Sequence, residues 1–232
     1  MKTNIDTREI IKFNEMASSW WDEKGPCKPL HDINPLRLHF IQENISLKGK
    51  KILDIGCGGG ILTEALARQT EYVTGIDMSP EAITIARLHA SIEKLNIDYQ
   101  QVTAETFAEK NPQQFDIITC MELLEHVPHP ESLIRACAKL IKPNGGIFFS
   151  TLNRTLTAYL FAILGAEYFL KLLPKGTHDY QKFIKPAELE KSLFENDLKL
   201  QTIKGIKYNP LFQKYTLTSN VSINYLIYCE PK

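Results

Sequence analysis

Short apolar runs alternate with segments of helical periodicity along most of the chain. The run of Ile52, Leu53 and Ile55 has the pattern of a strand that is buried on both faces of a parallel sheet, and four further segments are predicted as strands of the same sheet. Two further runs near the end of the sequence form a pair that resembles a hairpin. The seven predicted strands lie at 52–55, 72–76, 98–102, 115–120, 147–151, 198–206 and 221–228.

Segments with apolar residues three and four positions apart lie between most of these runs. Ser79 and Pro80 mark one helix start, as the N-cap and the first helical residue. This alternation predicts an α/β fold: a Rossmann-like, doubly wound, mostly parallel seven-stranded sheet with helices on both faces. The predicted helices lie at 6–18, 61–67, 79–95, 132–140 and 186–196, with another that starts at residue 36.

The segment 156–173 departs from this alternation because it is apolar on nearly every side. It contains one Glu, one Lys and one Gly. It is therefore too short and too charged for a bilayer span, which needs about 20 apolar residues. Either this helical insertion packs in the core, or it forms an apolar roof that touches a membrane through its flanking lysines. The sequence alone leaves both alternatives open.

The turn after the first strand is the most informative stretch. Asp54 precedes four glycines at 56, 58, 59 and 60, and helical spacing resumes at Ile61. Glycines let a ligand approach the backbone, and a helix start offers unpaired N–H groups. A dinucleotide fingerprint would need glycine at position 61. The G-x-G-G-G turn instead resembles motif I of the class I S-adenosylmethionine-dependent methyltransferases.

Asp77, at the end of the second strand, is a second indication of nucleotide binding. An acidic side chain there can accept hydrogen bonds from both ribose hydroxyls of an adenosine. We therefore expect one domain over 1–232. Its parts are an N-terminal helical cap (1–48), a cofactor-binding core (49–152), an apolar insertion (153–185) and a C-terminal helix and strand pair (186–232).

Composition excludes some classes of partner and compartment. The 27 basic and 27 acidic residues balance, so no basic field argues for nucleic acid. The five cysteines are odd in number and scattered, which favours a reducing cytoplasm over a disulfide framework. The first residues have no apolar core of a secretory signal, and their acidic members argue against a transit peptide.

Several sequence blocks resemble one family, the O-methyltransferases of ubiquinone biosynthesis, over nearly the whole chain. Motif I is shared by many methyltransferases, whereas PKGTHD and KFIKPAEL, at 174–179 and 182–189, are far more restrictive. Further blocks lie at 34–38, 51–60, 119–128 and 149–154.

The resemblance implies methylation of phenolic hydroxyls on polyprenylated catechol intermediates, at two steps of the pathway, with S-adenosylmethionine as the methyl donor. It also implies which residues contact this cofactor: Arg37, Gly56, Asp77 and Met121, with Asp54 and Gly58 in the same motif. The Arg37 guanidinium suits the cofactor's methionine carboxylate, and Met121 can lie against the adenosine or line the methyl donor's site. A bilayer-soluble substrate makes the inner face of the plasma membrane, and other enzymes of the pathway, expected partners.

Glu122, Glu125 and His126 are the candidate catalytic residues. Their spacing places all three on one face of a helical turn at the pocket mouth. A phenol with pKa near 10 is a poor nucleophile until its proton is removed. Either His126 acts as general base beside a carboxylate, or the three residues hold a divalent cation such as Mg²⁺ that chelates the catechol. The resemblance favours the metal, and a structural capping role is the third alternative.

Four other functions compete with this interpretation. A nicotinamide oxidoreductase conflicts with Ile61. An N-methyltransferase would carry an Asn/Asp-Pro-Pro-aromatic run where this chain has Met121 and Glu122. A C-methyltransferase of a related quinone pathway and a non-catalytic cofactor-binding, membrane-docking protein remain the alternatives.

Overall fold

A computed structural model of the protein describes residues 4–159 and 179–232. The described helices are α1 (Thr7–Met16), α2 (Lys28–Asn44), α3 (Ile61–Ala67), α4 (Pro80–Ile92), α5 (Ala104–Lys110), α6 (Pro130–Leu140), the single turn α7 (Leu156–Ala158) and α8 (Pro186–Glu195). The strands are β1 (Lys51–Ile55), β2 (Tyr72–Asp77), β3 (Ile97–Gln101), β4 (Phe115–Met121), β5 (Ile141–Leu152), β6 (Leu198–Asn209), β7 (Lys214–Thr218) and β8 (Asn224–Pro231).

The strands of the described chain form one sheet in the order β3-β2-β1-β4-β5-β8-β6-β7. The first five strands in this order pair in parallel, and β8, β6 and β7 pair antiparallel. The predicted doubly wound, mostly parallel α/β fold is confirmed. The predicted number of strands is wrong, because the sheet has eight strands and not seven.

The additional strand is β7, which pairs with the outer half of β6. Gly205 faces Thr218 and Asn209 faces Lys214 across this antiparallel pair. The pair extends β6 beyond the end of its pairing with β8, so β6 and β7 form an arm at the edge of the sheet. Most of β7 is only partly buried, so its side chains lack the apolar run by which buried strands are recognised.

Helices cover both faces of the sheet because successive strand residues point to opposite sides. Leu53, Ile118 and Phe149 pack with α5, α6 and α8 on one face. Their neighbours in sequence, Ile52, Ile117 and Phe148, pack with α2 and α3 on the other face. Continuous apolar runs in β1, β4 and β5 thus fill two cores at once.

Three of the differences from the predicted elements are the largest. Helix α2 begins at Lys28 and contains Pro35, although the prolines predicted a later start. Packing of its buried residues Phe40 and Ile41 outweighs the interior-proline cost, about 3 kcal/mol. Helix α5, which the sequence did not predict, begins directly after the third predicted strand, with Thr103 as its N-cap. Strand β5 starts at Ile141, ahead of the predicted 147.

Most of the predicted apolar insertion lies outside the described residues. Of the predicted helical segment 156–173, the structure describes only α7 and Tyr159, with Leu156 71% exposed. Within residues 4–159 and 179–232, no helix is long and apolar enough to cross a membrane.

Candidate functional site

The glycine turn after β1 is anchored to the end of β2. The backbone N–H groups of Gly56 and Cys57 donate to the carbonyl oxygen of Ile76, at 2.8 and 3.1 Å. Gly56, Gly58 and Gly60 have φ of +72°, +52° and +92°. Residues other than glycine rarely adopt these backbone angles, so the turn depends on its glycines.

Asp54 is buried directly beneath this turn. Its two carboxylate oxygens accept hydrogen bonds from the hydroxyls of Thr63 and Thr119, at 2.6 and 2.7 Å. Burial raises its pKa to about 6, although both hydroxyl donors oppose the shift. Asp54 therefore connects β1 with α3 and β4, and it also lines the cavity described below.

Asp77, the last residue of β2, also holds the glycine turn in place, through Gly58. One oxygen accepts from Gly58 N–H at 2.9 Å, and the other accepts from Ser79 N–H at 2.8 Å. Burial raises the pKa of this carboxyl above its ordinary value, and the backbone hydrogen bonds oppose the rise. Each oxygen retains a lone pair with which it can accept from a ligand hydroxyl.

Arg37 reaches the same cavity from α2. It is buried, with 5% of its surface exposed. Its Nη2 lies 3.5 Å from Oε1 of Glu122, and within the described structure neither Nε nor Nη2 donates a hydrogen bond. A buried guanidinium with free donors is strongly favoured to bind an anionic group such as a carboxylate.

Glu122 and Glu125 follow β4 and are held by consecutive residues of β5. The Ser150 hydroxyl donates to Oε1 of Glu122, and the Thr151 hydroxyl donates to Oε2 of Glu125, both at 2.7 Å. Oε1 of Glu125 is buried without a hydrogen bond from the described residues. Burial and then the charge of Glu122 raise the pKa of Glu125 to about 7, against the opposing charge of His126.

His126 contacts a residue that the sequence did not single out. Its Nδ1 lies 2.7 Å from Oε2 of Glu9, on α1. Burial opposes ionisation of Glu9, but the hydrogen bond from His126 and the charges of His126, Lys12 and Lys182 lower its pKa overall. The sequence predicted a carboxylate beside the His126 ring without identifying it, and the carboxylate found there belongs to the N-terminal helix.

The predicted helical turn that places the three residues on one face is wrong. Glu122 has φ of +52°, and only 124–126 form a short 3₁₀ helix. Each side chain consequently has a different partner. In the part of the chain that the structure describes, no group of three or more His, Cys, Asp or Glu side chains is placed to hold a metal ion. These residues as they stand do not fit a metal centre, and the metal role stays a prediction.

The two tryptophans close the glycine turn from outside. Trp20 is 6% exposed and lies so close to the turn that a Cβ on Gly58 or Gly59 would come within 2.2 or 2.3 Å of its ring. Trp21 donates from Nε1 to the Gly59 carbonyl at 2.9 Å and stacks on His89 with ring centroids 3.4 Å apart. The sequence shows that the two tryptophans are adjacent, but it does not show which residues their rings contact.

One cavity of about 490 Å³ joins these groups. Its size is that of pockets which enclose small ligands. It lies at the carboxyl ends of β1, β2 and β4, where an open parallel sheet binds ligands. All nine residues predicted for the site line it: Arg37, Asp54, Gly56, Gly58, Asp77, Met121, Glu122, Glu125 and His126. Glu9, Phe13 and Trp20 also line the cavity, although the predicted site did not include them.

The known proteins that this chain resembles in sequence are methyltransferases. A family model described as a methyltransferase domain matches residues 30–203. A protein of Nitrosococcus oceani named ubiquinone biosynthesis O-methyltransferase is 56% identical over 231 residues, covering 100% of this chain and 98% of the relative. A protein of the same name from Stutzerimonas stutzeri is 54% identical and covers 97% of each chain.

Among solved structures, the magnesium protoporphyrin IX methyltransferase of Synechocystis PCC 6803 with bound S-adenosylmethionine has a similar fold. Its TM-score is 0.67 at 15% identity, with 100% of both chains covered. At this identity the likeness establishes the fold alone.

Proposed function

Because the chain belongs to the ubiquinone biosynthesis O-methyltransferase family, we propose that it transfers the methyl group of S-adenosylmethionine to a phenolic hydroxyl of polyprenylated catechol intermediates. Both O-methylation steps of the pathway are included. One observation carries this proposal: a single cavity is lined by the glycine turn, Asp77 and Arg37, and also by Glu122, Glu125 and His126. Groups suited to binding a nucleotide and groups able to take a proton therefore line the same cavity.

The glycine turn, Asp77 and Arg37 fit S-adenosylmethionine. The donors of Arg37 suit its carboxylate, Asp77 suits its ribose hydroxyls, and Gly56 and Gly58 of the glycine turn line the same cavity. When bound, this cofactor supplies a methyl group on a positively charged sulfur. Met121 is the last residue of β4 and lines the same cavity, where its side chain can pack against the adenosine.

The protein's own part in the reaction is to take the phenol proton and to orient the oxygen. We assign the proton to Nε2 of His126, whose Nδ1 faces Glu9. The phenol oxygen bonds to the methyl carbon as its proton passes to that nitrogen, and the carbon–sulfur bond breaks. Glu125, with a pKa of about 7, is placed in the same cavity and can accept a hydrogen bond from the second catechol hydroxyl.

Product analysis tests the activity directly. The protein, S-adenosylmethionine and a short-tailed demethylubiquinol are expected to give the O-methylated quinol and S-adenosylhomocysteine in equal amounts. A methyl group on ring carbon would establish the C-methyltransferase alternative. Binding of S-adenosylmethionine without any methylated product from the demethylubiquinol would establish the non-catalytic alternative.

Replacing Asp77 by Ala is expected to weaken S-adenosylmethionine binding by about 10- to 100-fold. Hydrogen bonds to charged groups contribute about 1.5–3 kcal/mol, and Asp77 also holds Gly58 and Ser79 in place. Calorimetric titration measures the affinity, and Asp98→Ala, an exposed carboxylate on β3, is the control. Unchanged affinity in Asp77→Ala would show that the ribose is bound elsewhere.

We further propose that the protein meets its bilayer-soluble substrate at the inner face of the plasma membrane, through the insertion that begins at α7. The arm of β6 and β7 supports this. Leu211 and Phe212 at its tip are 81% and 73% exposed. Four lysines and no Asp or Glu lie between 198 and 229. Exposed apolar groups beside lysines are suited to an interface with anionic lipid.

Flotation with vesicles that contain anionic lipid tests this contact. Wild type is expected to float, and a deletion of 156–173 and the double variant Leu211→Ser/Phe212→Ser are expected to float less. Phe194→Ser removes an exposed ring on α8, a residue that belongs neither to the arm nor to the segment 156–173, and is the matched control. Equal flotation of the deletion variant and wild type would refute the role of the insertion.

A further inference from the structure

Helix α1 brings one carboxylate to the ring of His126. Oε2 of Glu9 lies 2.7 Å from Nδ1, and the ring of Phe13 meets the ring of His126 edge-on, with centroids 5.2 Å apart. The side chains of Glu9 and His126 are 20% and 11% exposed. A carboxylate can only accept, so the neutral ring carries its proton on Nδ1 and its lone pair on Nε2. The contact thus selects the form of His126 that can receive a proton through Nε2.

Polar contacts, together with the packing of partly buried Phe13 and Met16 on the cluster of Trp20, Cys27 and Ile61, hold α1 in this position. The helix has no buried residue. At its start, Nζ of Lys182 lies 3.1 Å from Asp6, and near its end the Ser79 hydroxyl donates to Asn14 at 2.6 Å. Ahead of the helix, Asn4 bonds to Glu105 and to the backbone of His129. The inward side chains of α1 line the cavity.

These two observations connect the covering of the cavity with the chemistry inside it. We propose that Glu9 is a positioning residue that fixes the Nδ1–H form of His126 only while α1 covers the cavity. This inference rests on the proposed methyl transfer and on the role of His126 in it. A catechol that has entered beneath α1 meets an oriented ring, whereas an uncovered cavity leaves the ring free to rotate and to change its protonated nitrogen.

This arrangement has a chemical consequence. The orienting carboxylate belongs to the covering helix and not to the strand ends that hold the other groups. Covering the cavity excludes water and completes the proton acceptor in the same movement. Removal of the carboxylate should therefore lower kcat, and it should leave the binding of S-adenosylmethionine unchanged because Arg37 and Asp77 are untouched.

Three variants at position 9 test the proposal. Glu9→Ala is expected to lower kcat at least about tenfold, by analogy with other carboxylates that fix a histidine tautomer. Glu9→Gln keeps an acceptor oxygen and should lie between Glu9→Ala and wild type. Glu9→Asp should recover part of the loss. The cofactor Kd should stay at the wild-type value in all three variants, and thermal unfolding is measured beside it because Glu9 also lies 3.6 Å from Lys12 and 3.9 Å from Lys182.

A spectroscopic measurement separates positioning from a merely structural role. Nitrogen-15 spectra of the histidine rings, with His126 assigned through His126→Asn, should show the Nδ1–H form in wild type and a mixture with the Nε2–H form in Glu9→Ala. Glu15→Gln, an exposed glutamate on the same helix, is the matched control and should change neither kcat nor the spectrum.

Two results would overturn the proposal: a kcat for Glu9→Ala within twofold of wild type, or an unchanged ring spectrum in that variant. A wild-type protein that transfers no methyl group would overturn the proposed function instead. The ring spectrum requires no turnover, so it still decides whether Glu9 fixes the tautomer of His126.

Discussion

Replacing His126 by Asn is expected to lower kcat by about 100- to 10,000-fold, the range that a positioned acid or base contributes. The variant keeps a polar side chain but removes the nitrogen assigned to the phenol proton. Glu125→Gln and Glu122→Gln are expected to lower kcat as well, because each removes a carboxylate from the same cavity. Turnover of a short-tailed demethylubiquinol, followed by product chromatography, gives kcat and KM for each variant.

Glu131→Gln, an exposed glutamate on α6, is the matched control and should retain wild-type kinetics. Each variant is also assayed with and without a chelator. A wild-type rate that the chelator does not change would leave only the base role for these residues, whereas a rate restored by added Mg²⁺ would establish the metal role. Near-wild-type rates in all three variants would end the assignment of catalysis to this group.

Replacing Gly58 by Ala is expected to have the second large effect, on stability and on cofactor binding together. The residue has φ of +52°, and a Cβ there would lie 2.2 Å from the ring of Trp20. The left-handed backbone costs a non-glycine residue about 1–2 kcal/mol, and overpacking adds about 1–3 kcal/mol. We therefore expect the free energy of unfolding to fall by about 2–5 kcal/mol, and S-adenosylmethionine affinity to fall at least about tenfold.

Gly49→Ala separates the two causes. Gly49 has a similar φ of +70°, but a Cβ there would meet nothing within 4 Å. It should therefore lose only the backbone contribution, about 1–2 kcal/mol. Urea unfolding compares the two variants, and calorimetric titration measures their cofactor affinity. A Gly58→Ala protein no less stable than Gly49→Ala would contradict the contact with Trp20.

Local pattern was sufficient for the parallel half of the sheet and for the glycine turn after β1. Strands β1, β2, β4 and β5 carry apolar runs because both of their faces are buried, and that composition is visible without a partner. Asp54, the glycines and Asp77 also lie within one continuous unit, which consists of β1, the glycine turn, α3 and β2. For these elements, the residues that determine the structure are close together in the sequence.

Tertiary structure decided what depends on contacts between distant residues. Strand β7 is partly exposed and is a strand because β6 pairs with it. The left-handed conformation of Glu122 separates it from the turn that holds Glu125 and His126, so their spacing did not predict their orientations. The carboxylate beside His126 belongs to Glu9, 117 residues earlier in the chain. Periodicity identifies which face of an element is buried, but only the packing of the whole chain decides which side chains meet there.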